Sequence, residues 1–368
     1  MDFKLSEEQR MIVDTTRAFV ENELYPHVAE VERTGELRRD LYEELKAKAI
    51  EAGLYAANMP EEVGGAGLDT QSWVLYEKEL GRASYALHWN CVARPSNILM
   101  ACNDEQRERY TLPCVRGEKV DCMAMTEPGA GSDLRGMKAT AVRDGDDWII
   151  NGTKHFISHA DVADFVIVYA ASGEEDTPRG KKKLITSFIV DMGTAGFTVR
   201  DGYRNVSHRG YTNSILEFDN CRVPDAQRLG DIHKGFDVAN DWLGATRLQV
   251  AATCLGRAER AFEHALQWSV DRQQFGQQIS KFQGVSFKLA DMALDLKAAN
   301  LLTMEAAWKY DQGTVTDADM AMAKLKASEM LAFVADEAIQ IHGGMGVMDE
   351  LPLERIWRDA RIERIWEG

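Results

Sequence analysis

Apolar residues recur at helical spacing in the first third of the chain, alternate in the middle, and return to helical spacing to the end. Leu5, Met11, Ile12, Thr15, Phe19 and Val20 fall near a 3.6-residue period, and the run from Leu41 to Ala52 repeats it. Ser6 followed by Gln9 has the form of a capping box, so a helix is expected to start there. Gly53 stands where a helix C-cap belongs. Pro60–Glu61–Glu62–Val63–Gly64–Gly65–Ala66–Gly67 reads as a connector, and helical patterning resumes from Gln71 to Gly117, broken near Arg94–Pro95. After Asp133 the period becomes two. Trp148, Ile149 and Ile150 precede Asn151–Gly152, a hairpin-type dipeptide like Asp144–Gly145 upstream. Strands are predicted at 165–168, 184–190, 197–199 and 215–218, ending near Val223–Pro224, with Lys181–Lys182–Lys183 in a solvated loop.

From Gly235 the pattern predicts long helices at 236–271, 283–311 and 317–341, then a last one after Pro352. Short strands with turn signals and no helices between them predict a small antiparallel barrel or sandwich, and long helices on short loops predict a four-helix bundle. The expected architecture is mainly α with a small β-domain. Residues 1–120 form an N-terminal helical domain, 121–232 a middle antiparallel β-barrel and 233–368 a C-terminal four-helix bundle. The chain ends at Trp366–Glu367–Gly368 within helical patterning and without a cap, which leads us to expect a further C-terminal segment.

Composition narrows the function. A length of 368 residues calls for two or three domains. A formal charge of −16 argues against nucleic acid and anionic membranes as partners. No run of roughly eighteen apolar residues and no secretory leader are visible. The six cysteines show no C-x-x-C spacing and no H-E-x-x-H occurs, so neither a disulfide framework nor a metal site is expected. Buried free thiols in a cytoplasm-like compartment, or an organelle matrix, fit that usage.

Between the helical and alternating regions lies Met123–Ala124–Met125–Thr126–Glu127–Pro128–Gly129–Ala130–Gly131–Ser132–Asp133. Its glycines allow left-handed or crowded backbone that could lie against a flat ligand. Taken alone it is a turn. Four further stretches change its weight: Pro60–Gly67; Lys154–Ser158; Arg272–Gly276 with Gln283; and Gln340–Gly346 leading into Arg358–Asp359–Ala360 and Ile365–Trp366–Glu367–Gly368. In this order, across essentially the whole chain, they resemble the acyl-CoA dehydrogenase family.

The resemblance implies an FAD enzyme that oxidises an acyl-CoA thioester to its 2,3-enoyl form and passes electrons to an electron-transfer flavoprotein. The weakly acidic α-proton needs a nearby base while enolate-like charge is stabilised, and the flavin takes the β-hydrogen as hydride. Glu367 matches the family's catalytic carboxylate, with Trp366 in the position usually held by Tyr. By composition alone it would be a solvated surface residue. Burial would raise its pKa and strengthen it as a base. The alternative base position, in Leu243–Gly244–Ala245–Thr246–Arg247, carries no carboxylate.

For FAD, the resemblance implies that Met125, Thr126 and Ser132 line the flavin edge. Phe156, Ile157 and Ser158 replace the family's Trp-Ile-Thr stretch beside the ring. Phe156 read on its own would be a core residue of a strand. Arg272, Gln274, Phe275, Phe282 and Gln283, with Gln340, Gly343 and Gly344, match positions that hold pyrophosphate and adenosine from a neighbouring subunit. Each FAD would then be completed by two chains, and a homotetramer (a dimer of dimers) is expected. Ser132 and Arg247 match CoA contacts, although Gly244 stands where the family often has Asp. Arg94 is either a surface or salt-bridged residue or a sign of a polar or anionic acyl group. A flavin oxidase, an elimination on a substituted short acyl-CoA, and a non-catalytic FAD-bound relative are the alternatives on the same scaffold.

Overall fold

The computed structural model describes residues 4–178 and 180–368. Helices α1 (Glu7–Phe19), α2 (Tyr25–Thr34), α3 (Arg39–Glu51), α4 (Thr70–Leu80) and α5 (Tyr85–Cys91) begin the chain, followed by short α6 (Asp104–Gln106) and α7 (Leu112–Val115). Ser6 and Gln9 form the expected capping box. Gly53, at φ +68°, follows α3 in the left-handed region. Val20, Leu24, Val28, Leu45, Met59 and Leu80 centre the core of this helical part. No helix among the described residues is long and apolar enough to cross a membrane.

The middle region is one open sheet rather than a closed barrel. Strands β1 (Asp121–Ala124), β2 (Thr140–Asp144), β3 (Asp147–Ser158), β4 (Phe165–Thr177), β5 (Gly180–Asp191), β6 (Phe197–Arg200), β7 (Asn213–Pro224) and β8 (Arg228–Leu229) run in the order β6-β7-β3-β2-β4-β5-β8, with β1 beside β4. Nor is it wholly antiparallel: β1 and β2 both pair with β4 in parallel. The reason shows in β4, whose first six residues are all buried. Val166, Val168 and Ala170 enter one core, while Phe165, Ile167 and Tyr169 enter another shared with Ile98, Leu99, Tyr110 and Ala239. The second face is covered by neighbouring helical segments, so closure is not needed to bury it.

Two local expectations also change. Asp144–Gly145 does turn the chain, between β2 and β3, but Asn151–Gly152 lies inside β3, where the register with β7 shifts. The lysine run 181–183 is strand, not loop. Lys181, Lys182 and Lys183 face Asp176, Glu175 and Glu174 across β4–β5, and opposite charges across strands favour that register.

The C-terminal part holds three long helices, α8 (Gly235–Asp271), α9 (Gln283–Asp311) and α10 (Asp317–His342), within a residue of the sequence expectation. A short α11 (Leu353–Glu363) completes it. Small residues (Ala251, Ala258, Ala265, Ala323, Ala327, Ala335) let these helices approach closely around Leu255, Met292, Met330 and Leu331. All six cysteines are free, and only Cys102 is not fully buried.

Candidate active site

The 123–133 stretch leaves the end of β1 and is pinned by a buried ion pair. Lys154 Nζ, on β3, donates to Glu127 Oε1 at 2.8 Å and to the Met125 carbonyl at 3.0 Å. Glu127 also accepts from the Lys138 and Ala139 backbone N–H groups at 2.5 and 3.0 Å. Burial opposes ionisation of both partners, but the hydrogen bonds outweigh it at Glu127, whose carboxyl is held below its ordinary range. The same desolvation lowers Lys154, and the pair with Glu127 offsets part of this. His155 N–H donates to the Thr126 carbonyl at 3.0 Å, tying loop to strand a second time.

Gly129 and Gly131 serve differently from the expectation. Neither is left-handed, and a Cβ on either would meet no atom within 4 Å. They keep the loop face clear. Thr126 is half-buried and Ser132 exposed on that loop, whereas the Met125 side chain is buried in the core, leaving its backbone to the site.

Phe156 is not core. Its neighbours Lys154 and Ile157 are both buried although three residues apart, because the β3–β7 register shifts between them. This bulge places Phe156 at φ +55° and leaves it 53% exposed. Its ring packs at 4.1 Å from His155 and 5.2 Å from Tyr203. Ile157 is buried, and the Ser158 hydroxyl faces Tyr211. An open glycine face beside an outward aromatic suits a planar ring such as a flavin.

At the other end of the chain, Glu367 adopts φ +59° after α11. Arg247 Nε on α8 donates to its carbonyl at 3.2 Å, which places Arg247 at this turn. Desolvation raises the Glu367 carboxyl to about 7; Lys324 and Arg247 pull it down, while Glu363 pushes it up. An Asp at position 244 would press on Met320, whose Cε lies 3.1 Å from a Cβ built on Gly244.

Beneath this turn is a cluster that sequence reasoning missed. Glu363, fully buried, is bound by Arg257 Nη1 at 2.5 Å and lies 3.2 Å from His208 Nε2. Its other oxygen accepts from the Trp366 indole at 2.8 Å. His208 stacks on Tyr85 at 4.5 Å, and Tyr85 packs on Trp366 at 4.9 Å. The ion cluster thus fixes the residue directly before Glu367. Arg257, His208 and Glu363 stand far apart in sequence without a shared motif, and nothing in their spacing announces them. Glu127 and Lys154 lie inside the motif stretches but carry no distinguishing signal there.

The positions matched to pyrophosphate and adenosine are outward-facing except Phe282, which is half-buried against the C-terminal core. Strands β9 (Gln273–Gln274) and β10 (Gln277–Gln278) form a small hairpin whose tip, Phe275–Gly276, has φ +52° and +78°, as a two-residue type I′ turn requires. Phe275 is 93% exposed and meets Phe282 edge-on at 6.0 Å. Arg272, Gln274, Gln283, Gln340, Gly343 and Gly344 are exposed as well. Arg94 is buried. Its Nη2 donates to both the carbonyl and the carboxylate of Asp121, so its charge is met inside the protein.

Comparison with known proteins agrees with this architecture. The N-terminal, middle and C-terminal domain families of acyl-CoA dehydrogenase match residues 6–118, 122–221 and 233–368. The caffeyl-CoA reductase–Etf complex subunit CarC of Acetobacterium woodii is 36% identical, with 99% of this chain and 95% of that protein covered. The butyryl-CoA dehydrogenase structure from Megasphaera elsdenii superposes with a TM-score of 0.90 at 35% identity, covering 100% of this chain and 96% of that one. A Mycobacterium smegmatis glutaryl-CoA dehydrogenase in complex with FADH2 gives a TM-score of 0.89 at 27% identity, covering 99% and 92%.

Proposed function

The chain belongs to the acyl-CoA dehydrogenase family, and from that premise we propose that it oxidises an acyl-CoA thioester at the α,β-bond with Glu367 as the base. It is an oxidoreductase, and its relatives are flavoproteins. The observation that carries the residue assignment is the Glu367 turn: a carboxyl raised to about 7 by desolvation, with its carbonyl held by Arg247 and its preceding residue by Glu363. A base near 7 is half-ionised at neutral pH, where a general base acts best, and it takes the α-proton as the developing enolate charge is stabilised.

FAD fits the residues present. The clear face of Gly129 and Gly131, Phe156 turned outward, and the Thr126 and Ser158 hydroxyls would hold the ring, which when bound accepts the β-hydrogen with its electron pair. Lys154 and Glu127 keep the loop in place, Phe156 and Tyr203 exclude water from one side, and Glu367 removes the α-proton. Ser132 and Arg247 are proposed as CoA contacts. The relative named as part of an Etf complex supports an electron-transfer flavoprotein as acceptor. That relative is a reductase, and the same residues serve the reverse reaction, Glu367 then returning the proton.

We read the C-terminal helices as a four-helix bundle with α11 as the short member, and the chain as a homotetramer. Helix α9 exposes Phe287, Leu294, Leu301 and Trp308, one every seven residues; such a stripe is an interface in search of a second helix. The exposed hairpin with Arg272 and Phe275 would complete the FAD site of a neighbouring subunit. The test is anaerobic mixing of the flavin-loaded protein with short acyl-CoAs: bleaching of the flavin with formation of 2,3-enoyl-CoA is expected. Unchanged flavin with every ester, or peroxide formed in air at the rate of turnover, would count against a dehydrogenase.

A further inference from the structure

A cavity of about 190 Å³ lies between α4, the segment after α5, and α8, lined by Trp73, Glu77, Trp89, Thr246, Gln249 and Tyr310 among others. Its position follows from the rings that lead to it. Trp366, beside the proposed base, packs on Tyr85 at 4.9 Å, and Tyr85 stacks on Trp89 at 5.5 Å. Thr246 precedes Arg247, which holds the Glu367 carbonyl. The cavity therefore adjoins the reacting centre, where an acyl tail beyond the β-carbon would go.

Its chemistry is not that of a hydrocarbon slot. Glu77, 1% exposed, accepts from Gln249 Nε2 at 3.0 Å through one oxygen, but its other oxygen has no well-formed hydrogen bond in the protein. The Trp73 indole approaches Glu77 closely enough to favour its ionised form, yet falls short of hydrogen-bond geometry. The Trp89 indole N–H is likewise buried and without a partner. Three unmet polar atoms around one cavity call for a ligand or solvent group, because buried polar groups are otherwise nearly always paired. Charge points the same way. Among the described residues, none lining the cavity is Lys, Arg or His. Arg94, whose neighbours Ala93 and Pro95 do line it, is taken by Asp121. A carboxylate tail would thus meet a carboxyl without a counter-ion.

We propose that this cavity receives the acyl tail and selects a neutral tail bearing a hydroxyl group, over hydrocarbon and carboxylate tails, through Glu77. The unmet Glu77 oxygen shares a hydrogen bond with that hydroxyl, and an indole N–H donates to the hydroxyl oxygen. Burial pushes the Glu77 carboxyl up to about 8, so it stays mostly protonated at neutral pH, donates to the hydroxyl, and offers no ready counter-charge to an ammonium tail. The proposal rests on the acyl-CoA reading above.

The experiment compares CoA esters of one chain length ending in methyl, hydroxyl, carboxylate or ammonium, by anaerobic flavin reduction and by binding calorimetry on the holoenzyme. The hydroxyl ester is expected to lead in kcat/KM and affinity by about tenfold or more, the value of a buried hydrogen bond to an otherwise unpaired group. Glu77→Leu should erase that lead, bringing kcat/KM for the hydroxyl ester down to that for the methyl ester in the same variant. Trp89→Phe, which keeps an aromatic ring and removes the N–H, should cut it severalfold and guards against a Glu77→Leu protein that does not fold. A wild-type preference for any other tail, or a hydroxyl preference that survives both substitutions, overturns the proposal. If the hydroxyl ester binds tightest and no ester reduces the flavin, the dehydrogenation reading falls and the tail selection stands. Flavin reduction that is indifferent to the tail overturns the tail selection and leaves dehydrogenation standing.

Discussion

Replacing Glu363 by Gln tests the ion cluster under the Glu367 turn. The substitution keeps size, but an amide has a single acceptor oxygen, so the charge is lost together with either the Trp366 or the Arg257 hydrogen bond. Burial drives the Glu363 carboxyl upward, but Arg257 and His208 together bring it down from 4.5 to about 2. At ~1.4 kcal/mol per pH unit, that fall corresponds to about 3 kcal/mol of native-state stabilisation. The range for breaking a buried pair, roughly 3–5 kcal/mol, agrees. The sign follows from the depressed folded-state value. The stabilisation is complete above pH 4.5 and is lost as pH falls toward 2, so by pH 3 about half or less should remain. Urea midpoints followed by tryptophan fluorescence, for wild type and Glu363→Gln, measure this at pH 7 and pH 3. A stability gap below about 1 kcal/mol at pH 7, or one of the same size at both pH values, would refute the reasoning. The variant should also move the base, since the Glu363 charge helps to raise Glu367; the rise of flavin reduction with pH should shift to lower pH.

Three further outcomes follow from the geometry. In the wild type, kcat/KM for flavin reduction should rise with pH through about 7 and then level, because Glu367 must lose its proton to act and desolvation raises it to about 7; stopped-flow rates between pH 5 and 9 would show it, and a flat profile would speak against this base. Lys154→Met leaves Glu127 buried beside two backbone donors but without its cation, and should cost about 3 kcal/mol or more and release flavin, read as a lowered Tm and a lower flavin-to-protein ratio. Arg94→Leu strands the buried Asp121 carboxylate and should lower Tm for every ligand state while leaving the ranking of tail groups unchanged, since the arginine does not line the tail cavity.

What can be read in the sequence is whatever repeats locally. The long C-terminal helices announce themselves by period, and Ser6 with Gln9 by capping chemistry. The middle region is harder. Alternation marks the strands, but β4 is apolar at every early position because it is buried on both faces, and nothing in 165–170 tells an open, covered sheet from a barrel. The lysine run hides its strand because its partners, Glu174, Glu175 and Asp176, become visible only in register. Phe156 reads as core because the bulge that turns it outward leaves no signature in composition. The proposed site residues held by motif, Glu367 among them, come from the family pattern. The Arg257–His208–Glu363 cluster and the Glu77 cavity are not, because their members come from separate parts of the chain and their chemistry comes from burial.

Glu367 is the residue on which the proposed mechanism depends. Glu367→Gln should load FAD as fully as wild type, since no cofactor contact is assigned to that carboxyl, and should bind acyl-CoA. In anaerobic stopped-flow mixing with a substrate that bleaches the wild-type flavin, the Glu367→Gln flavin should stay oxidised, slowed by about 10²-fold or more. Bleaching at the wild-type rate would contradict the assignment and send the search for the base elsewhere.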